Sequence, residues 1–202
     1  MIEAAPPDHH SELSEALDAF APGSPAEAAD VARIRALVAA GDPYSRSLPL
    51  HVTCSALVLH PPTGRVLLRW HERQQSWLQV GGHVDPGESS PPAVALREAE
   101  EETGLDDLVP VPGPEPRLVH VVIVPVPAGR GEPAHEHADV RYVFATERPD
   151  TVVPESPGAR LRWLGYAEAR ELVGPDNVRV TLARAEALAS ASTPGPPPEV
   201  EG

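Results

Sequence analysis

The chain contains no lysine, and all sixteen of its basic residues are arginine. That removes Schiff-base and other lysine-dependent covalent chemistry. A single cysteine, Cys54, excludes an intrachain disulfide framework and fits a reducing, cytoplasmic setting. No apolar run approaches the length of a membrane-spanning helix, and residues 1–10 are too polar and acidic for a signal peptide. Positive charge is scarce: sixteen basic residues face thirty acidic ones, a net charge of −14. This argues against electrostatic capture of a nucleic-acid polymer or an anionic membrane. An anionic substrate would therefore need local positive charge from arginine and a metal ion. At 202 residues the chain has room for one domain with appendages.

The most informative stretch is Gly82–Leu105, GHVDPGESSPPAVALREAEEETGL. It opens as a glycine-rich loop and closes as a helix dense in carboxylates. Ser89 or Ser90 is placed to cap that helix, Pro91 and Pro92 suit its first turn, and Gly104 suits its end. At ~100° per residue, Glu98, Glu101 and Glu102 fall within roughly one quadrant of the helical wheel. Leu96, Ala99 and Thr103 fall on another side and are expected to face a core. Like charges at this spacing cost about 0.2–0.5 kcal/mol per pair on an exposed helix. Alone, such a run is most often a solvated acidic face. Clustered carboxylate oxygens also suit a hard divalent cation such as magnesium or manganese, and a bound cation activates water and neutralises phosphate oxygens. The residues by themselves thus point to metal-dependent hydrolysis of a phosphorylated compound.

The order of residues here is Gly82, five residues, Glu88, a spacer, Arg97-Glu98, Ala99, Glu100, Glu101-Glu102, Thr103, Gly104, Leu105. It resembles the Nudix box, the signature of the Nudix hydrolases, and the looser resemblance extends over roughly residues 48–190. The family's usual spacer between the first Glu and Arg-Glu is seven residues, whereas Ser89–Leu96 gives eight. Two prolines are poor in a helix interior, so the added residue is expected in the Ser89–Pro92 turn, with the catalytic helix left in frame. Glu88 would then have to brace Arg97 across a remodelled turn. Val80 stands where many members have proline.

The resemblance implies an α/β/α sandwich with a mixed sheet, and cleavage of a pyrophosphate linkage in a nucleoside diphosphate joined to another moiety. It implies Mg2+ or Mn2+ held by Glu98, Glu101 and Glu102, with a main-chain carbonyl from Gly81. Arg97 would orient the carboxylates, Glu88 would brace it, and Glu98 is the leading general base. Some members take the base from a later loop, where Glu132 and Glu136 are the candidates. Two other readings stay open: a non-catalytic Nudix domain sensing a nucleotide or nucleotide sugar, and an isomerase of isoprenoid diphosphates. The first is disfavoured by the intact carboxylates. The second wants a catalytic cysteine in a setting that HVTCSALV does not resemble, and Cys54 reads better as a core thiol.

Along the rest of the chain, residues 1–45 form an N-terminal helical extension, 46–190 the main domain and 191–202 a disordered proline-rich tail. Within the extension, Ser11–Phe20 and a stretch starting at Ser24-Pro25 carry apolar residues at helical spacing. They form a cap or dimerisation element, or pack against the side of the domain, and the second reading is favoured. A second copy of the chain stays open as a partner beside the small-molecule substrate. Strands are expected at His51–Leu59, Arg65–Trp70, Trp77–Val80, Leu118–Val124, His137–Thr146 and Leu161–Leu164, and helices at Tyr166–Val173 and Asn177–Ser190. Pro133–Asp139 (PAHEHAD) places His135, His137 and Asp139 on one strand face. This is either a second metal site or phosphate contact, or a polar strand entrance, and the second is favoured. Arg141 continues that face toward a substrate phosphate. Arg69 is a further substrate-binding candidate, and Trp70 and Trp77 are candidates to stack on a base, although at least one should be core.

Overall fold

A computed structural model describes residues 10–129 and 131–192. The expected loose terminus before residue 10 and the proline-rich tail after residue 192 lie outside the described residues. Two helices come first, α1 (Ser11–Ala19) and α2 (Pro25–Ala39). Ser24 caps α2, its Oγ accepting the Glu27 N–H at 3.2 Å, and Pro25 occupies the first turn. Then follow β1 (Leu50–His60), β2 (Arg65–His71), β3 (Ser76–Leu78), β4 (Val80–His83), α3 (Pro91–Thr103) and β5 (Val109–Pro110). The remainder is β6 (His120–Val126), β7 (His135–Ala145), β8 (Leu161–Gly165), α4 (Tyr166–Leu172) and α5 (Asp176–Ser192).

All eight strands belong to one mixed sheet with β1 at its centre. β1 runs parallel to β7 over its whole length, from Leu50↔Glu136 to Leu59↔Ala145. On its other side it pairs antiparallel with β4 through Thr53–Ala56 and with β2 through Val58–His60. With neighbours on both edges and helices on both faces, β1 is buried from His51 to His60, which suits its nearly unbroken apolar run.

The two faces carry two cores. Val52, Cys54, Ala56, Val58, Ala138, Val140, Tyr142 and Phe144 meet α1, α2 and α3, through Leu13, Leu17, Val31, Ile34, Val94, Ala95 and Ala99. Leu57, Leu59, Val66, Leu68 and Val143 meet α4 and α5, through Ala169, Val178, Leu182 and Ala185. The result is the expected α/β/α sandwich. Cys54 is wholly buried in the first core, and burial pushes its thiol well above the ordinary range; it is a packing residue with no route to a substrate.

The N-terminal helices share that core with α3. Glu27 of α2 is buried and pairs with Arg184 of α5 at 2.7 Å. Glu27 Oε1 also accepts the Val121 N–H at 3.2 Å, and Asp30 Oδ2 accepts the Ile123 N–H at 3.0 Å. Two carboxylates of α2 thus satisfy β6 N–H groups that no further strand takes up.

Several boundaries differ from the expectations, and the one strand expected over Trp77–Val80 is two, broken at Gln79, with β3 paired to β2 and β4 to β1. β7 starts at His135, because parallel pairing with β1 extends through Glu136 and His137. β6 starts at His120, two residues late. A two-residue strand, β5, lies inside the proline-rich connection and pairs with the end of β7; two residues carry no readable periodicity.

Candidate active site

The glycine-rich turn and α3 assemble the carboxylates. Ser90 stands at the N-cap position, but its side chain accepts no N–H of the helix, so the expected serine cap does not form. Pro91 opens the helix, and its fixed φ suits that position. α3 then runs unbroken to Thr103, and Gly104 ends it in the left-handed conformation, its N–H bonding the Glu100 carbonyl at 2.8 Å. Ala99 and Thr103 are fully buried and Leu96 packs on the core in part, so the acidic face is turned away from it.

Arg97 organises the cluster. Its Nε and Nη2 donate to the two oxygens of Glu88 at 2.8 and 3.0 Å. Nη1 donates to Glu98 at 2.9 Å and to Glu101 at 3.1 Å, and Nη2 also reaches the His83 carbonyl at 3.1 Å. The hydrogen bond from Arg97 lowers the Glu88 pKa and favours its carboxylate. The longer spacer therefore does not weaken the brace: the turn from Asp85 to Ser90 returns Glu88 to its partner, with the Asp85 N–H fixing Glu88 Oε2 at 2.7 Å.

β4 brings the glycines against the same carboxylates. A side-chain carbon at position 82 would stand 2.5 Å from the Glu98 carboxylate. One at position 81 would stand 2.5 Å from the Cys54 carbonyl, and φ there is +150°. Only glycine fits at position 81, where backbone is in the way, whereas a side chain at position 82 would displace the Glu98 carboxylate. Glu102 is 7% exposed and pairs with Arg69 of β2 at 3.0 Å. Its Oε2 is buried with no hydrogen-bond partner among the described residues. Burial pushes the Glu102 carboxyl up to about 7, with Arg69 partly offsetting the shift. Burial likewise raises Glu98. A buried carboxylate oxygen with no partner among the described residues, on a carboxyl that also feels the Glu98 charge, is oxygen chemistry that suits a hard divalent cation.

A cleft of about 1100 Å³ opens beside this cluster, across the glycines and over the sheet face opposite α3. Arg69, Trp70, Gln79, Gly81, Gly82, His83, His137, Asp139 and Arg141 line it. Trp70 Nε1 and Gln79 Oε1, a donor and an acceptor, are buried there without partners among the described residues. Trp70 also stacks under the Arg160 guanidinium, 4.5 Å from the ring centroid.

Several candidates take other places. Arg141 is 2% exposed, and its guanidinium is committed to Asp139 at 2.7 Å, Thr181 at 2.9 Å and the Asn177 side chain at 2.8 Å. It braces the cleft floor and has no free edge for a phosphate. Asp139 in turn accepts from Thr53 at 3.2 Å and Ser55 at 2.8 Å, so it is not available to a metal with His135 and His137. Glu136 lies on the other face of β7, held by Arg33 of α2 at 2.5 Å, and does not face the cleft. Glu132 is exposed and pairs with Arg73 at 3.4 Å and Arg46 at 3.8 Å. Trp77 packs edge-on against Trp70 and on the second core, so Trp70 is the tryptophan that lines the cleft. Arg69 sits between Glu102 and Glu155, tying the carboxylate helix to the cleft.

Sequence reasoning missed His51 and His83, which the sheet brings beside His135 and His137. Within its own segment each reads as a lone strand-end residue. Only the register of β1 with β4 and β7 joins them: Thr53 stands opposite His83, and His51 opposite His137.

The match to known proteins follows this geometry. No curated protein matches the chain. Solved structures share its fold: the E. coli dihydroneopterin triphosphate pyrophosphohydrolase has a TM-score of 0.51 at 19% identity, covering 68% of this chain and 94% of that one. A C. elegans Ap4A hydrolase in a binary complex has a TM-score of 0.53 at 17% identity, covering 69% and 98%. A Nudix hydrolase from M. smegmatis has a TM-score of 0.50 at 23% identity, covering 73% and 90%. Among the described residues, no helix is long and apolar enough to cross a membrane. The NUDIX domain model matches residues 49–184, which takes in the whole sheet, the glycine turn and the carboxylate helix, and with two thirds of its length so matched, the chain belongs to the Nudix hydrolase family.

Proposed function

We propose that the protein is a metal-dependent hydrolase cleaving a pyrophosphate linkage in a nucleoside diphosphate joined to another moiety. The observation that carries the reading is the buried Glu102 carboxylate, whose Oε2 has no partner among the described residues and which is joined through Arg69 to the cleft. Glu98, Glu101 and Glu102 would hold Mg2+ or Mn2+, with the Gly81 carbonyl as a further oxygen. A divalent ion held there would neutralise phosphate oxygens and lower the pKa of a bound water.

The chain's own groups supply the rest. Arg97 fixes the rotamers of Glu98 and Glu101, so that they do not have to be ordered on binding. Glu88 holds Arg97 in turn. Glu98, whose carboxyl is raised by burial, would accept a proton from the attacking water. The glycines let a phosphate chain pass close to the backbone. Trp70 Nε1 and Gln79 Oε1 present a donor and an acceptor inside the cleft, a pairing suited to the edge of a nucleobase, and the Trp70 ring offers a surface for stacking. The two solved relatives with named substrates act on dihydroneopterin triphosphate and on Ap4A. Both contain phosphoanhydrides, which supports the class of bond and leaves the substrate to be found.

The test is a panel of nucleoside diphosphate derivatives, oxidised nucleotides, nucleotide sugars and dinucleoside polyphosphates, assayed with Mg2+ or Mn2+. Release of a nucleoside monophosphate or orthophosphate only with divalent ion is expected. Turnover persisting in excess chelator defeats the metal mechanism, and silence across the panel favours a sensor domain.

A further inference from the structure

We propose that His51, His83 and His137 form a second metal site, selective for an imidazole-preferring first-row dication of the zinc class and separate from the carboxylates of α3. The three come from three different strands, β1, β4 and β7. One ring nitrogen of each lies within 4.8 Å of those of the other two. His83 Nε2 stands 3.2 Å from His51 Nε2. His135 extends the cluster, its Nε2 lying 3.1 Å from His137 Nε2.

The spacing suits a metal. Tetrahedral zinc with Zn–N of about 2.0–2.1 Å places neighbouring donor nitrogens roughly 3.3–3.4 Å apart. Within the three, the His51–His83 contact already stands near that separation. His137, whose ligand atom lies within 4.8 Å of the other two, has to close on His51 and His83 to complete the set. The outer atoms of two rings are already held. His51 Nδ1 bonds the Leu48 carbonyl at 3.1 Å, and His135 Nδ1 bonds the Pro133 carbonyl at 2.9 Å. A ring whose Nδ1–H donates to a carbonyl carries its free lone pair on Nε2, the arrangement that orients ligating histidines.

His51 is buried and His83 and His137 are partly buried, so the three rings converge where they are shielded from bulk solvent. Imidazole nitrogens suit zinc-class ions, whereas the carboxylates of α3 suit Mg2+. The two sites therefore separate by ligand chemistry. His83 and His137 also line the cleft, so a coordination position left open between them would face the substrate space.

The experiment titrates metal-stripped protein with Zn2+ against a chromophoric chelator, with Mg2+ in large excess to fill the carboxylate site. One Zn2+ per chain that Mg2+ does not displace is expected. His83→Gln and His137→Gln should each weaken it by at least about tenfold, while Glu98→Gln leaves it unchanged. Co2+ in place of zinc should give the visible absorption of nitrogen ligation. If a variant loses its far-UV circular dichroism, X-ray absorption on the zinc-loaded wild type counts imidazole ligands without mutation. Three or four imidazoles support the site. Zinc held by oxygen ligands, affinity unmoved by both histidine variants, or no zinc retained against the chelator would each overturn it and leave a hydrogen-bonded imidazole cluster. None of these results depends on hydrolase activity, so the hydrolase reading stands or fails separately.

Discussion

Arg97 grips Glu88 through two parallel contacts, Nε to Oε1 at 2.8 Å and Nη2 to Oε2 at 3.0 Å, across a spacer one residue longer than the family's usual length. Although Glu88 has to reach Arg97 across a remodelled turn, both contacts form. The Glu88→Gln variant should lower kcat/KM by about 10–100-fold, as loss of a group that orients a ligand shell does. Glu98→Gln, which removes both a ligand and the candidate base, should cost on the order of 10²–10⁴ in kcat. Steady-state kinetics at saturating metal decide it. A Glu88→Gln variant with wild-type kinetics would mean that the bidentate grip has no bearing on turnover.

Glu102 gives a test that needs no substrate. Saturating Mg2+ or Mn2+ at about 100 times its Kd should stabilise the wild type by about 2.7 kcal/mol through linkage. In Glu102→Gln most of that gain should vanish. Stability without metal should fall little, because Oε2 has no partner among the described residues, the glutamine oxygen can still accept from Arg69, and Arg69 keeps its contact with Glu155. Thermal melts of both proteins with and without metal read this out. An unchanged metal-induced shift in Tm would remove Glu102 from the ligand set.

The N-terminal helices should matter for folding before they matter for chemistry. Glu27→Ala leaves the Arg184 guanidinium and the Val121 N–H without their carboxylate. Breaking a buried pair by removing one partner costs about 3–5 kcal/mol. Urea denaturation measures the loss. Deleting residues 1–41 should leave an unfolded or aggregating chain, since Val31, Ile34, Leu13 and Leu17 fill the core that also seats α3. A folded but inactive truncation would instead place the extension in the active site.

Asp107 sets an acid limit. Burial alone would raise its pKa, but bonds from Thr146 Oγ1 at 2.6 Å and the Glu147 N–H at 3.0 Å, with Arg148 nearby, outweigh that and lower it. A carboxyl depressed in the folded state adds stability that is fully present above its unfolded pKa, and that is lost as pH falls through the folded one. Asp107→Asn should therefore cost about 1.5–3 kcal/mol near neutrality. The gap to wild type should close as pH drops below the ordinary Asp value. Denaturation curves across that pH range check the convergence. A gap that does not change with pH would show the charge to be irrelevant.

The carboxylate helix could be read from the chain because its determinants lie within one short segment, Pro91 to Gly104. Glu98, Glu101 and Glu102 share a face by helical geometry alone, Pro91 and Gly104 mark the ends, and a 3.6-residue period survives any tertiary context that leaves the segment helical. The alternating and β-branched runs likewise placed the principal strands. Contacts made across strands were not readable in the same way. Arg69 meets Glu102, Arg141 is locked by Asn177 and Thr181, and His51 stands beside His83 and His137 only because β1, β2, β4, β7 and α5 adopt one register and order. Strand pairing is set by the joint burial of two cores, and a slip of one residue would turn each of these side chains to the opposite face. Local periodicity therefore determined the carboxylate helix and the principal strands, and the tertiary structure decided which distant side chains would share a site.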